Sequence, residues 1–139
     1  MSRQLVILIL IVIKGAAAPV GTPSPTAAPL SRPQIDFFEN KIRPLLANNC
    51  YKCHSQNAEK VKGGLLLDTR DAVLAGGNTG PAIVPGNPDK SLLIQAVRYT
   101  NPDLQMPPKG EKLSDAQIAD LVAWVKMGAP DPRKAAASK

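Results

Sequence analysis

Both cysteines and the only histidine of this chain lie within five consecutive residues, Cys50-Tyr51-Lys52-Cys53-His54. The pattern Cys-x-x-Cys-His is typical of c-type haem attachment. Two thiols three residues apart can reach both vinyl groups on one edge of a porphyrin, and the adjacent imidazole can then ligate the iron. The motif predicts one covalent haem c (heme c) per chain, held by Cys50 and Cys53, with His54 as the proximal ligand.

Three other interpretations of these residues compete, and the first of them remains open. A Cys50–Cys53 disulfide would suit an exported protein, because the chain has no other cysteine. A thioredoxin-like redox pair would need a βαβ context, which the flanking pattern of helices and loops does not supply. A zinc site would need four ligands, and the sequence has no further Cys or His to complete one.

The second axial position of the iron would fall to a methionine, because the chain has no second histidine. Met106 lies in a Met-Pro-Pro segment, whose prolines hold the backbone extended and could present the sulfur at a fixed distance. Met127 ends a predicted helix, where a methionine more often fills the core. We expect Met106 to be the distal ligand; the alternative is an ordinary loop residue beside an open or water-ligated iron.

The first 18 residues have the features of a secretory signal peptide. Arg3 supplies the positive end, residues 5–13 are uninterrupted apolar side chains, and Ala16 to Ala18 are small enough for cleavage. A helix needs about 20 apolar residues to span a bilayer. We therefore expect cleavage after Ala18 and an exported protein of the periplasm or cell envelope; an uncleaved segment would associate it with the membrane.

Composition divides the remaining chain into three parts. Residues 19–33 carry prolines at every second to fourth position and predict a semi-stiff linker. Residues 34–132 form the predicted domain, and residues 133–139 a disordered tail. The net charge is +6, but no block of five like charges occurs, so a nucleic-acid surface is not expected.

Four helical patterns and no convincing strand lie within the predicted domain. The first covers about residues 34–46, where apolar side chains recur at helical spacing. Pro44 lacks a backbone donor, so we expect a kink or an early end there. The second pattern covers about residues 69–75, with Asp68 as its expected N-cap.

The third pattern covers about residues 89–99, and the fourth begins at a capping box on Ser114. Two long loops rich in glycine and proline, residues 76–88 and 100–112, separate these helices. Long loops in a compact domain indicate function or a missing partner, and a cofactor could supply the surface on which they pack. We expect an all-α domain of about four helices around one covalently bound haem.

Further short motifs accompany the cysteines. They are FFENKIRPLL at 37–46, GGL at 63–65, DTR at 68–70, GPAIVPG at 80–86 and MPP at 106–108. Over about residues 35–131 the chain resembles the planctomycete-type cytochrome c domain, a class-I-like monohaem c-type cytochrome. The resemblance implies that Cys50 and Cys53 bind haem, that His54 is the proximal ligand and that Met106 is the distal ligand.

These features predict an electron-transfer protein and not an enzyme. In the resembled family this domain usually heads a much longer chain, whereas here the sequence ends just after it. A stand-alone carrier and a fragment of a longer protein are both compatible with this. A redox partner protein would dock transiently at the haem edge, where such interfaces are small. The alternative is a haem module that serves an exported oxidoreductase or a peroxidase-like assembly.

Two expectations concern the surroundings of the haem. The second ring nitrogen of a metal-ligating histidine usually donates to a carbonyl or carboxylate. The carbonyl of Pro81 could accept that bond from His54, a simple turn at Gly80-Pro81 being the alternative. Three basic side chains could pair with the haem propionates, with solvated surface as the alternative: Arg70, Arg98 and Lys109.

Overall fold

The computed structural model describes residues 29–133. The predicted signal peptide, most of the predicted linker and residues 134–139 of the predicted tail lie outside this range. The described part contains four helices and no strand, so the predicted all-α fold is confirmed. No helix within it is long and apolar enough to cross a membrane.

Helix α1 covers residues 32–49 without a break. Its α-helical ends, Arg32–Phe37 and Arg43–Asn49, flank a π-helical segment, Phe38–Ile42. The helix begins earlier than predicted, and Pro33 lies in its first turn, where a missing N–H costs nothing. Pro33 therefore belongs to the helix and not to the linker.

The expected early end of α1 at Pro44 is wrong, because the helix continues to Asn49. The π-helical segment lies directly before Pro44, and the Arg43 N–H bonds the Phe38 carbonyl across the wider turn. A proline ring normally clashes with the carbonyl four residues back, so a local widening lets the helix continue. The same segment buries Phe38 and Ile42 completely.

Helix α2 spans Arg70–Ala75. Its N-cap is Thr69, whose hydroxyl accepts from the Ala72 N–H at 3.3 Å, so the expected cap at Asp68 is wrong. Asp68 accepts instead from the backbone N–H of Gln56 at 2.7 Å, which ties α2 to the loop after the cysteine motif.

The predicted third helix is divided at Ser91 into a 3₁₀ turn, Pro88–Lys90, and helix α3, Leu92–Arg98. The Ser91 hydroxyl is completely buried. It donates to the Asn87 carbonyl at 2.8 Å and accepts from the Val84 N–H at 2.9 Å. These bonds anchor the loop that precedes α3.

Helix α4 spans Asp115–Lys126. The predicted capping box is present: the Ser114 hydroxyl accepts from the Gln117 N–H, and the Gln117 side chain accepts from the Ser114 N–H. The helix packs against α3 and against the π-helical segment of α1. Its buried Trp124 lies 6.0 Å from the Phe38 ring, at the centre of the core.

The chain after α4 folds back over this core. The Trp124 indole N–H donates to the Pro130 carbonyl at 2.9 Å. The Arg133 side chain is only 8% exposed and forms an ion pair with the buried Asp131. Arg133 therefore belongs to the folded unit, one residue beyond the predicted boundary.

Candidate haem-binding site

A cavity of about 440 Å³ lies between the segment after α1, helix α3 and the two long loops. The four predicted site residues all line it: Cys50, Cys53, His54 and Met106. Most of the other lining side chains are apolar, among them Leu65, Leu67, Ala82, Leu93, Ala96 and Val97. Its volume falls in the range of cofactor and ligand sites.

Both cysteines and the histidine come from a helical turn that extends α1. The Cys53 and His54 N–H groups donate to the Cys50 carbonyl at 3.1 and 2.9 Å. Residues three and four apart on such a turn share one face. The spacing of the motif therefore brings two thiols and an imidazole to the same wall of the cavity.

The cysteines are free thiols. Burial raises the pKa of the Cys50 thiol to about 11, so this side chain is neutral at physiological pH. A neutral thiol in an apolar wall is compatible with covalent attachment of an apolar macrocycle.

The His54 ring is held by a carbonyl, but not by the expected one. Its Nδ1 lies 3.2 Å from the Leu65 carbonyl oxygen, and the Leu67 N–H donates to the His54 carbonyl at 2.8 Å. The expectation of Pro81 is therefore wrong. Gly77 and Gly80 exchange two backbone hydrogen bonds, which makes the Gly80-Pro81 segment a simple turn.

A carbonyl partner fixes the tautomer of His54. Because a carbonyl only accepts, this hydrogen bond needs a proton on Nδ1, and in the neutral ring the lone pair of Nε2 is then left free. A neutral imidazole with a free Nε2 is the form that ligates iron.

The Leu65 segment is positioned by glycines in close contact. The Asn78 N–H donates to the Gly63 carbonyl at 2.8 Å, which joins the two loops. A Cβ on Gly77 would lie 2.6 Å from the Gly63 carbonyl oxygen, and one on Gly64 would lie 2.3 Å from the Asn78 side-chain oxygen. A side chain at Gly77 would therefore push the loops apart, whereas one at Gly64 would displace the Asn78 side chain.

Met106 is anchored to the end of α3. Its N–H donates to the Ala96 carbonyl at 3.1 Å, and the Tyr99 hydroxyl donates to the Pro107 carbonyl. Met127 is 44% exposed and does not line the cavity, so it is neither the core filler that we expected nor a competing ligand there.

None of the three basic side chains considered for the propionates lines the cavity. Arg98 pairs with Asp89 at 2.9 Å, and Arg70 lies 3.8 Å from Asp71. Lys62 does line the cavity and was missed; nothing in its sequence context distinguishes it from other surface lysines.

The apolar walls, the two thiols, the imidazole and the nearby thioether together fit a c-type haem, and they define a cytochrome c domain. Residues 50–110 match the model of the family described as Planctomycete cytochrome C. The matched range begins at Cys50 and includes His54 and Met106. The resemblance inferred from the sequence is therefore confirmed over residues 50–110, which are similar to a haem-binding, planctomycete-type cytochrome c domain.

One solved structure with similarity is a chain of Kuenenia stuttgartiensis hydrazine synthase. It is 24% identical, with a TM-score of 0.40. The similarity covers 70% of this chain and 17% of that chain. No curated protein matches the chain.

Proposed function

We propose that this protein is a monohaem c-type cytochrome that carries one electron, with its haem attached to Cys50 and Cys53. The observation that carries the proposal is the apolar cavity, which both cysteines, the only histidine and Met106 line together. A c-type haem supplies a one-electron couple at its iron.

The four residues fill three roles. The thiols of Cys50 and Cys53 form the covalent attachment. His54 offers Nε2 as the proximal ligand, because its Nδ1–H donates to the Leu65 carbonyl. Met106 offers a thioether from an anchored loop, and a thioether ligand favours a high reduction potential.

The lining of the cavity favours electron transfer over peroxidase-like chemistry. Cleavage of a peroxide needs a positioned acid or base. Among the described residues that line the cavity, the polar side chains besides the cysteines and His54 are Asn49, Lys62 and Thr79. None of these is a carboxylate or a second imidazole, and Lys62, the one that could transfer a proton, is exposed to solvent.

We also propose export to the periplasm or cell envelope, on the evidence of the N-terminal sequence. A redox partner would dock beside the attachment segment. Lys52, Lys60 and Lys62 are exposed there, and the Lys62 N–H donates to the Cys53 carbonyl. Basic side chains around an electron-transfer site fit a partner with an acidic surface.

The test uses the full chain, produced in an oxidising compartment with a c-type maturation system. We expect a mass increase of one haem that survives denaturation, and loss of that increase in a Cys50→Ala/Cys53→Ala variant. A reductive titration should consume one electron per chain.

Carbon monoxide separates the carrier from the alternative catalytic module. A ferrous iron closed by Met106 should bind carbon monoxide poorly, whereas a Met106→Ala control should bind it readily. Rapid binding by the wild type, together with peroxide turnover, would contradict the carrier and favour the alternative.

A further inference from the structure

Arg133 connects three separate parts of the fold. Its guanidinium lies over the Phe38 ring of α1, with 4.9 Å between Cζ and the ring centroid. Nη1 donates to the Tyr51 hydroxyl at 2.5 Å and to the Leu67 carbonyl at 2.8 Å. These contacts join the end of the described chain to residues 82 and 66 positions away.

Asp131 fixes the orientation of this guanidinium. Its carboxylate accepts from Nε at 2.9 Å and from Nη2 at 2.5 Å. The two side chains are 2% and 8% exposed. Because the carboxylate occupies Nε and Nη2, Nη1 is directed at Tyr51 and Leu67.

Arg133 contacts Tyr51 and Leu67, which precede and follow His54 in the sequence. Tyr51 is inside the Cys-x-x-Cys-His motif. Leu67 uses its carbonyl for Arg133 and its N–H for the His54 carbonyl, at 2.8 Å. The His54 ring bonds Leu65, two residues before Leu67. A shift at Leu67 would therefore reach both the backbone and the ring of His54.

Stability alone is a weak reason for such an arrangement. Removing two charges from water costs free energy that their attraction often fails to repay, and apolar replacements are frequently as stable. A buried pair with three further directed contacts is better suited to fixing geometry.

We propose that Arg133 is a positioning residue for the proximal haem ligand, acting through Tyr51 and Leu67. This inference rests on the proposed ligation of iron by His54. The planar fork of arginine is needed because Nε and Nη2 bind Asp131 while Nη1 of the same rigid group binds both Tyr51 and Leu67. A lysine, which has one nitrogen, cannot reproduce all of these contacts.

The test compares the wild type with Arg133→Met and Arg133→Lys in the full-length holoprotein. Ferric electron paramagnetic resonance and the haem-methyl shifts report the orientation of the His54 ring. Hydrogen exchange of the Leu67 amide reports its bond to His54. We expect both variants to change the ring signature and to speed Leu67 exchange by about tenfold.

Ile118→Ala is the matched control, because it removes core volume on α4 without touching the Arg133 contacts. It should lower stability and leave the ring signature unchanged. If Arg133→Met behaves like this control, with lower stability and a wild-type signature, Arg133 is merely structural and the proposal is overturned.

Tyr51→Phe covers the case in which Arg133→Met does not mature. It removes one acceptor, leaves the ion pair intact and should shift the signature in the same direction by less; an unchanged signature would count against the proposal.

Absence of covalent haem from the wild type would contradict the proposed function instead. Leu67 exchange would then still decide whether Arg133 holds this segment.

Discussion

The Nδ1 atom of His54 lies 3.2 Å from the carbonyl oxygen of Leu65. Leu65 directly follows Gly63 and Gly64. The Gly63 carbonyl accepts a hydrogen bond from the Asn78 N–H, in the loop that contains Gly77. The ring of the proposed proximal ligand is therefore oriented by a backbone segment whose position depends on close packing between two loops.

Gly77→Ala should disturb this orientation. The new Cβ would meet the Gly63 carbonyl oxygen at 2.6 Å, and a backbone atom can move only if its segment moves. We expect a loss of about 1–3 kcal/mol in the free energy of unfolding, measured by urea titration, and an altered signature of the His54 ring. Gly86→Ala is the control, because its φ of 81° strains a side chain while its Cβ position is open. An unchanged ring signature in Gly77→Ala would contradict the expectation.

Local chemistry explains why much of the fold was predictable. The capping box at Ser114 and the cysteine motif depend on residues within one helical turn. The capping box forms as predicted, and the cysteines and His54 line one cavity. The long loops were expected to pack on a cofactor, and both contribute lining to the cavity.

The errors share a different origin, which is contact between distant segments. His54 bonds the Leu65 carbonyl and not that of Pro81, and the segment that contains Leu65 is joined to the turn at Gly77–Gly80 through the Asn78 N–H. Arg133 was assigned to a frayed tail because nothing near it in sequence indicates burial; its partners at Tyr51 and Leu67 are supplied only by the fold.

Met106→Ala should open the distal position. We expect the ferric sulfur-to-iron absorption band to disappear and the reduction potential to fall, because the thioether stabilises the ferrous state. Met127→Ala is the control, since Met127 is exposed outside the cavity, and it should change stability by less than about 0.5 kcal/mol. Persistence of the band in Met106→Ala would exclude Met106 as the ligand.

Tyr99→Phe should loosen the loop at residues 100–112 without removing Met106, the proposed distal ligand. The Tyr99 hydroxyl donates to the carbonyl of Pro107, the residue after Met106. We expect a cost of about 0.5–1.5 kcal/mol in stability and a sulfur-to-iron band that fades at lower temperature than in the wild type. Thr100→Val should leave the band unchanged, because the Thr100 hydroxyl is exposed and makes only a 3.4 Å bond to Gln95. Equal behaviour of the two variants would show that Tyr99 does not hold the loop.

The protein should lose stability at alkaline pH through Tyr51. Burial raises the pKa of the Tyr51 phenol above its ordinary value of 10.0, and the Arg133 guanidinium opposes that shift only in part. Above pH 10 the unfolded chain releases this proton while the folded chain retains it, so stability present below pH 10 falls as pH rises through the folded pKa. NMR of ring-labelled tyrosine in the ferrous protein should show Tyr51 titrating above pH 10. Tyr51→Phe should lack this contribution to the pH dependence; an identical alkaline profile would refute the assignment.

Ser91→Ala should be costly although it removes a single oxygen. The hydroxyl is completely buried, and its loss leaves the Val84 N–H without its acceptor and the Asn87 carbonyl without one of its donors. An unsatisfied buried group costs about 1–3 kcal/mol, so we expect a loss of that size in urea unfolding. Ser114→Ala removes an exposed N-cap hydroxyl and should cost about 1 kcal/mol.

Because the Ser91 bonds anchor the loop that supplies Ala82 to the cavity wall, Ser91→Ala should also raise carbon monoxide binding slightly. Equal unfolding free energies for Ser91→Ala and the wild type would show that the loop is held by other contacts.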